Sequence, residues 1–316
     1  MEAHESAPLM EFEKTGSTRI VTLGNAFLDT ILYLPEIPDK PTKMRVMDVK
    51  MTGGGIAATA ACAAARLGAD VAYWGRLGVD EVGDRIVERL SRCGVKTDGV
   101  ARVEGGRSPM GTILVDQGGE RTALGFIGRD LGDEADWLPL EDVTALSGVL
   151  ADYSWWQGAA ALFEAANRQG IVSVLDADVG DMHAVHNLLA LPEHLVFSAA
   201  CLRRLTEHSD LSDALRKADN MCRGIVSVTD GARGFFWCVE GQIHHVPAFK
   251  VDPIDTNGAG DIFHGAFTLG LSEKMTIEEA ARFASAAAAL KCACGSGWES
   301  IPDRKQVETL INGGNA

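Results

Sequence analysis

Cysteine clusters are missing from this chain. Its seven cysteines are scattered, and the one close pair, Cys292 and Cys294, has no second pair and no histidine cluster near it. A structural zinc site draws four ligands from such clusters, so the spacing argues against a cysteine-bound metal. Scattered thiols in an odd number are instead typical of a protein from a reducing compartment.

Long basic runs and long apolar runs are missing as well. The 316 residues include 44 acidic and 29 basic side chains, which gives a formal net charge of -15. Such a chain repels nucleic acid and anionic membranes. No stretch of about 18 residues is apolar enough for a transmembrane helix, and residues 1–17 lack the apolar segment of a secretory signal. We therefore expect a flexible tail over residues 1–17 and a cytoplasmic protein with no nucleic-acid or membrane partner.

Two nucleotide-binding motifs are absent where they would be expected. After Gly24, which ends the first predicted strand, the chain continues Asn25-Ala26-Phe27, without the G-x-G-x-x-G of a dinucleotide-binding unit. The glycine-rich segment at residues 257–260 is not followed by the Gly-Lys-Ser/Thr of a Walker A loop. A dinucleotide-dependent enzyme is therefore disfavoured.

The order of apolar segments predicts an α/β fold with a mostly parallel central sheet. Short apolar runs alternate with helical stretches over residues 148–229, as in β-α-β units with helices on both faces. Half-polar strands, one of them at Lys43–Met51, are predicted within residues 36–52 and 107–126 and have no helices of their own. We expect them to form a small sheet, inserted in a domain of residues 18–316, that covers a site or packs against a second subunit.

The segment Val251–Phe267, VDPIDTNGAGDIFHGAF, carries the most chemical information. It predicts a strand, a glycine-rich turn, and a helix opened by Asp261. The free N–H groups of Gly258, Ala259, Gly260 and Asp261 would point at an anion beside the positive end of the helix. The Asp261 carboxylate would repel a phosphate, but it suits a general base for a hydroxyl that attacks phosphorus. The pattern favours phosphoryl transfer, although these residues alone also fit an ordinary turn with Asp as helix cap.

Residues 255–261, DTNGAGD, resemble the C-terminal signature D-T-x-G-A-G-D of the ribokinase-like, or PfkB, carbohydrate kinases. Residues 54–68, GGIAATAACAAARLG, resemble the other signature of that family, and residues 228–234, VTDGARG, resemble its V-T-x-G-x-x-G segment. The resemblance implies a ribokinase-like three-layer α/β/α fold with a small β-sheet lid. It also implies an ATP-dependent sugar kinase that uses Mg2+ bound through ATP and water.

The resemblance also implies roles for individual residues. The general base would be Asp261, with the anion hole formed by Gly258, Ala259 and Gly260. Substrate hydroxyls would be bound by Asn25, Asp29, Gly54, Gly55 and Thr59, and ATP by Thr229, Gly231, Gly234 and Asn257. Asp255 matches a position that helps to hold a monovalent cation, such as K+, in some members. A homodimer formed through the lid is expected.

Four segments resemble the sulfofructose kinases: residues 53–69 (GGGIAATAACAAARLGA), residues 247–266 (PAFKVDPIDTNGAGDIFHGA), residues 289–292 (ALKC) and Ala151-Asp152. Those kinases phosphorylate 6-deoxy-6-sulfofructose at its 1-hydroxyl, so the resemblance implies a ketose-like substrate. Of the three sulfonate ligands in that branch, Lys43 is matched, whereas Gly125 and Ser154 replace an Asn and an Arg. Arg129 could supply a substitute cation, or it could be a solvated loop residue that pairs with Asp130 or Asp133. Losing charge-assisted hydrogen bonds would weaken sulfonate binding, so other sugars remain open.

Two further departures concern the family motifs themselves. Thr59 stands where the family usually has Asn, and residues 198–201, SAAC, replace an N-x-x-E motif that is often tied to magnesium. Kinases of another sugar, a sugar phosphate or a nucleoside therefore stay as alternatives. A catalytically silent sugar-binding protein is a further alternative, which the presence of Asp261 disfavours.

Overall fold

The computed structural model describes residues 18–313, so the tail predicted for residues 1–17 lies outside the described residues. The strands are β1 (Arg19–Leu23), β2 (Phe27–Tyr33), β3 (Asp48–Gly54), β4 (Asp70–Gly78), β5 (Val100–Val103), β6 (Met110–Val115), β7 (Arg121–Phe126), β8 (Gly148–Asp152), β9 (Val172–Ala177), β10 (His194–Ser198), β11 (Ile225–Thr229), β12 (Phe235–Val239) and β13 (Gln242–Val246). The helices are α1 (Ile56–Arg66), α2 (Glu81–Arg92), α3 (Trp156–Gln169), α4 (Met182–Leu188), α5 (Ala199–Thr206), α6 (Leu211–Asp219), α7 (Ala259–Ser272), α8 (Ile277–Cys294) and α9 (Arg304–Ile311).

Nine of the described strands form the central sheet, in the order β13-β12-β11-β10-β9-β8-β1-β4-β5. Every neighbouring pair from β11 to β5 is parallel. The β11–β12 and β12–β13 pairs are antiparallel. The predicted α/β fold with a mostly parallel sheet is confirmed. Because the parallel strands share one direction, their carboxyl ends meet at one edge, where ligands bind in open α/β sheets.

Helices cover both faces of this sheet and bury two apolar cores. One core contains α1, α7 and α8, and the other contains α3, α5 and α6. Six of the seven alanines of α1 are fully buried, and a side chain on Gly265 of α7 would overlap the carbonyl of Ala60. Small residues therefore let α1 and α7 approach closely, which holds the start of α7 near the start of α1.

The four remaining strands form the small sheet, in the order β3-β2-β6-β7. Strand β2 belongs to it, which the sequence did not predict, and the strand predicted at Lys43–Met51 runs instead from Asp48 to Gly54. The last residue pair is Tyr33 and Asp48, and residues 42–46 before it are irregular. The strand predicted to begin at Val251 is also wrong, since residues 247–258 are irregular. No described helix combines the length and apolar character needed to cross a bilayer.

Candidate active site

A cleft of about 700 Å³ lies between the small sheet and the carboxyl edge of the central sheet. Nine of the predicted site residues line it: Asn25, Asp29, Gly54, Gly55, Thr59, Asn257, Gly258, Gly260 and Asp261. These residues come from the loop between β1 and β2, from β2 and the end of β3, from the turns before α1 and α7, and from the first turns of those helices. The fold therefore brings the two predicted signatures together in one cavity.

The glycine-rich turn has the conformation that an anion site requires. Gly258 has φ +74° and precedes α7 directly, a left-handed conformation that glycine adopts at low cost. The N–H groups of Gly258, Gly260 and Asp261 have no hydrogen-bond acceptor among residues 18–313, whereas Ala259 donates to the carbonyl of Thr256 at 3.3 Å. Three free amides at a helix start, rather than the predicted set that included Ala259, are thus available to an anion.

Asp261 is a carboxylate in an acidic, poorly solvated environment. It lies in the first turn of α7 and is partly exposed to the cleft. Burial raises the pKa of Asp261 well above its usual value, and the charges of Asp176, Asp178 and Asp152 raise it further, while Lys291 lowers it. A raised pKa makes a carboxylate a stronger base.

Asp29 lies at the centre of the small sheet and faces the cleft. Side chains at Gly54 of β3 or Gly111 of β6 would overlap its carboxylate. Its oxygens accept no hydrogen bond from any described residue, and burial raises the pKa of Asp29 to about 6. Asp29 is half-buried, and an acceptor that faces the cleft without a protein partner is available to a donor from a ligand, so Asp29 is suited to bind substrate hydroxyls.

Asp152, at the end of β8, organises one side of the cleft and was missed by the sequence reasoning as a site residue. It is fully buried. One of its oxygens accepts from the amides of Asn25 at 3.1 Å and Ala57 at 3.2 Å, and the other accepts from the amide of Ser154 at 2.8 Å. This carboxylate therefore fixes the Asn25 loop and the start of α1. Its signal in the sequence was an acidic residue directly after a fully apolar strand.

Thr59, which replaces the usual Asn, is bound by a residue from the far end of the chain. The indole Nε1 of Trp298 donates to the Thr59 hydroxyl at 3.0 Å. The Trp298 ring lies against Gly53, where a side chain would overlap it. The Thr59 hydroxyl retains its own hydrogen for donation to a ligand. Trp298 lines the cleft, and no local sequence signal pointed to it.

The residues predicted to bind ATP lie at the carboxyl end of β11. Thr229 is the last residue of this strand, and Gly231 and Gly234 belong to the turn that follows. Gly234 has φ +96°, and a side chain there would overlap the carbonyl of Val246, so glycine is required by the turn. These three residues do not line the cleft beside Asp29.

Asp255 is held by two cationic side chains from distant parts of the chain. The ammonium Nζ of Lys291 donates to its backbone carbonyl at 2.9 Å and lies 3.5 Å from its carboxylate. The guanidinium of Arg121, in β7, bonds the carboxylate at 2.6 Å and also bonds the Thr256 hydroxyl. The sequence predicted a monovalent cation here and missed both side chains. The carbonyl and the carboxylate of Asp255 are therefore both in contact with cationic side chains, and the K+ site stays a prediction.

The predicted sulfonate ligands are not brought together. Lys43 lies in the exposed segment before β3, and the Arg129 guanidinium pairs with Asp130 at 3.3 Å; neither lines the cleft. Gly125 and Ser154, which replace the other ligands of the sulfofructose branch, do line it. Among residues 18–313, no group of three or more His, Cys, Asp or Glu side chains could hold a metal ion.

Comparisons with known proteins agree with this arrangement. The profile of the pfkB family carbohydrate kinases matches residues 17–304. The ribokinase of Haemophilus influenzae is 28% identical over 306 residues, covering 91% of this chain and 96% of that protein. A solved structure from Agrobacterium tumefaciens, provisionally named a ribokinase, is 32% identical with a TM-score of 0.90 and covers 94% of this chain and 98% of its own. Arabidopsis thaliana ribokinase, solved with ribose and ATP, is 25% identical with a TM-score of 0.83, covering 93% and 99%. These relatives are named for ribose, so the likeness to sulfofructose kinases stays a prediction.

Proposed function

The chain belongs to the pfkB family of carbohydrate kinases, ATP-dependent enzymes of the ribokinase type, and we propose that it phosphorylates an uncharged sugar in the cleft beside Asp261. The observation that carries the proposal is the juxtaposition of one carboxylate and three free amides at the start of α7. The carboxylate can take a proton while the amides bind the phosphoryl group. Both groups are needed for transfer from ATP to a hydroxyl.

The reaction follows from this geometry. The sugar hydroxyl loses its proton to Asp261 as its oxygen forms a bond to the γ-phosphorus of ATP. The bond between that phosphorus and the bridging oxygen breaks, and ADP leaves with the electron pair. The N–H groups of Gly258, Gly260 and Asp261 stabilise the charge on the phosphoryl oxygens in the transition state. ATP would extend from this turn towards Thr229 and Gly231, and Mg2+ would enter bound to its phosphates.

The charges around the cleft favour a neutral substrate. Five carboxylates line it: Asp29, Asp152, Asp178, Asp181 and Asp261. The one cationic side chain among the described lining residues is Lys291, whose ammonium is bonded to Asp255. A sulfonate or phosphate on the sugar would meet this field without a cationic partner, and like charges in a cleft repel. We therefore place ribose-like pentoses and unmodified ketoses ahead of 6-deoxy-6-sulfofructose and sugar phosphates.

The sulfofructose alternative rests on the likeness of several strings and on Lys43. That likeness supports a ketose substrate, and fructose is the neutral ketose that corresponds to 6-deoxy-6-sulfofructose without its sulfonate group. For 6-deoxy-6-sulfofructose to be the substrate, the exposed segment before β3 would have to carry Lys43 into the cleft.

A screen of ATP consumption with matched sugars tests the proposal. Fructose against 6-deoxy-6-sulfofructose, and ribose against ribose 1-phosphate, differ mainly in one anionic group. We expect the neutral member of at least one pair to have the higher kcat/KM, by about tenfold or more if one charge-assisted contact is at stake. Phosphorus NMR of the product then identifies the hydroxyl. Preference for the anionic member in both pairs would refute the neutral-sugar proposal. If no sugar stimulated ATP consumption, the proposed sugar phosphorylation would be refuted.

The small sheet also supports the proposed homodimer. Its alternate residues face away from the cleft, since Asp29 and Gly111 line the cleft while their neighbours along each strand point outward. Val49, Leu32 and Leu114 form one outward row across three paired strands, and Val49 is 55% exposed. An exposed apolar sheet face is typical of an interface, and a second copy would supply a self-complementary partner.

A further inference from the structure

Lys291 is the most deeply buried cation among the described residues, and the proton transfer described above does not use it. Its side chain is 1% exposed. It lies in the last turn of α8, where a positive charge also interacts favourably with the helix carbonyls. A buried ammonium is costly unless oxygens surround it, and the oxygens that surround Lys291 belong to Asp255.

A continuous set of contacts leads from Lys291 to the anion-binding turn. Its Nζ donates to the Asp255 carbonyl at 2.9 Å. The Asp255 carboxylate accepts from the amide of Asn257 at 2.8 Å, the residue directly before Gly258. The carbonyl of Cys292, next to Lys291, accepts from the amides of Ile254 at 2.7 Å and Asp255 at 3.1 Å. The end of α8 therefore sets the conformation of the chain that leads into Gly258.

A free monovalent ion does not fit the same place. A bound ion would need the carbonyl and carboxylate of Asp255 as ligands, but Lys291 and Arg121 already bond both groups. A third positive charge beside a single carboxylate would be repelled by two fixed ones. An ammonium is also a compact point charge, so it can fill the role of an ion without dissociating.

We propose that Lys291 is a positioning residue that replaces a free monovalent cation behind the phosphoryl-binding turn, and so makes this enzyme independent of K+. The proposal rests on the proposed kinase function for its kinetic consequence. Its structural core is the bond between the Lys291 ammonium and the Asp255 carbonyl. The fixed charge holds Asp255, and through it the turn at Gly258, in the form that presents free amides.

Two substitutions of Lys291 separate the effect of its charge from the effect of the volume that its side chain fills. Lys291→Ala removes the ammonium and leaves room for an ion, whereas Lys291→Met removes the charge but fills the space. Lys217→Met is the matched control, because the Lys217 ammonium likewise donates to a backbone carbonyl, that of Thr206 at 2.7 Å, and does not line the cleft. Each protein is assayed with choline as the only monovalent cation, and with K+ or NH4+ at equal ionic strength.

We expect the wild type and Lys217→Met to show the same kcat in all three salts. Both Lys291 variants should lose about 10- to 100-fold in kcat in choline, the range for one charge-assisted hydrogen bond. K+ or NH4+ should restore Lys291→Ala by several-fold and leave Lys291→Met unchanged. A K+ requirement in the wild type would overturn the proposal, and so would full activity of Lys291→Ala in choline.

A second measurement keeps the test independent of catalysis. The Tm of the wild type should be the same in choline and K+, while Lys291→Ala should gain stability in K+ because the ion binds only its folded state. A K+-specific rise in the Tm of the wild type would contradict the proposal even if no sugar were phosphorylated. Conversely, absence of kinase activity with the expected Tm pattern would refute the proposed function and leave the Lys291 assignment standing.

Discussion

The carboxylate of Asp29 in β2 fills the space that Gly54 in β3 leaves free. A side chain at Gly54 would overlap Oδ2 of Asp29, and one at Gly111 would overlap Oδ1. The carboxylate is thereby confined between two neighbouring strands and faces the cleft. Two glycines from separate parts of the chain set the position of the carboxylate that we propose to bind the sugar.

Gly54→Ala should impair sugar binding by displacing Asp29. We expect KM for the sugar to rise by about tenfold or more, as for the loss of one charged hydrogen bond, with little change in KM for ATP. Asp29→Asn should show the same split in steady-state kinetics. Gly68→Ala is the control, because Gly68 also has a positive φ but no atom lies near its missing side chain. An equal rise in KM for ATP would contradict the assignment of Asp29.

Asp261→Asn should abolish most turnover while preserving nucleotide binding. Removal of a general base typically costs about 10²- to 10⁴-fold. The backbone amides of the turn stay in place, so the Kd for ATP, measured by calorimetry, should change little. Asp252→Asn, an exposed carboxylate of the preceding loop, serves as the control. Comparable kcat values for both variants would exclude Asp261 as the base.

Activity should fall as the pH drops through about 6, the raised pKa of Asp29, because protonation removes its charge as an acceptor. Asp261, whose pKa is also raised, acts in the same direction. The kcat/KM profile of the free enzyme should therefore have an acidic limb. In Asp29→Asn this limb should become less steep, since one group no longer titrates.

Stability should respond to pH in the opposite direction. The pKa of Asp29 is higher in the folded protein than the 3.8 of an unperturbed Asp, so its stabilising contribution is full below about pH 4 and is lost as the pH rises through about 6. The Tm difference between Asp29→Asn and the wild type should therefore favour the variant more at pH 7 than at pH 4. Each kcal/mol of this change corresponds to about 2–4 °C in Tm. A Tm difference that is constant with pH would contradict the buried, ionised Asp29.

Arg121→Gln should weaken catalysis by freeing the small sheet from the anion-binding turn. Arg121 bonds Asp255 and Thr256 from β7, and it is about one-third exposed, so solvent screens part of its effect. We expect kcat/KM to fall about fivefold, which corresponds to about 1 kcal/mol. Arg129→Gln, whose partner is Asp130 outside the cleft, should leave kcat/KM unchanged. A larger loss for Arg129→Gln would restore Arg129 as a substrate ligand.

Val49→Lys should convert the proposed dimer to a monomer, because it places a charge in the apolar outward face of the small sheet. Light scattering coupled to gel filtration measures the mass. Val239→Lys, a half-exposed valine of the β12–β13 hairpin, should leave the dimer intact. A wild-type protein that is already monomeric would contradict the dimer.

Local patterns predicted the elements that depend on neighbouring residues. The glycine turn and the start of α7 were predicted because Gly258 and the residues after it fix the backbone locally. The β12–β13 hairpin is equally local, because the turn between its strands is made by Glu240 and Gly241, both with positive φ. Strand β2 was missed, since its identity as a lid strand depends on pairing with β3 and β6, far along the chain.

The sequence by itself determined the family, the α/β fold and the candidate for the base, because signature residues and apolar periodicity are local properties. The tertiary structure alone decided what surrounds the base. Docking of α8 brings Lys291 to Asp255 across 36 residues, pairing of β7 brings Arg121 across 134 residues, and the final loop brings Trp298 to Thr59 across 239 residues. Contacts over such separations arise from packing of whole elements, which no short window of sequence encodes.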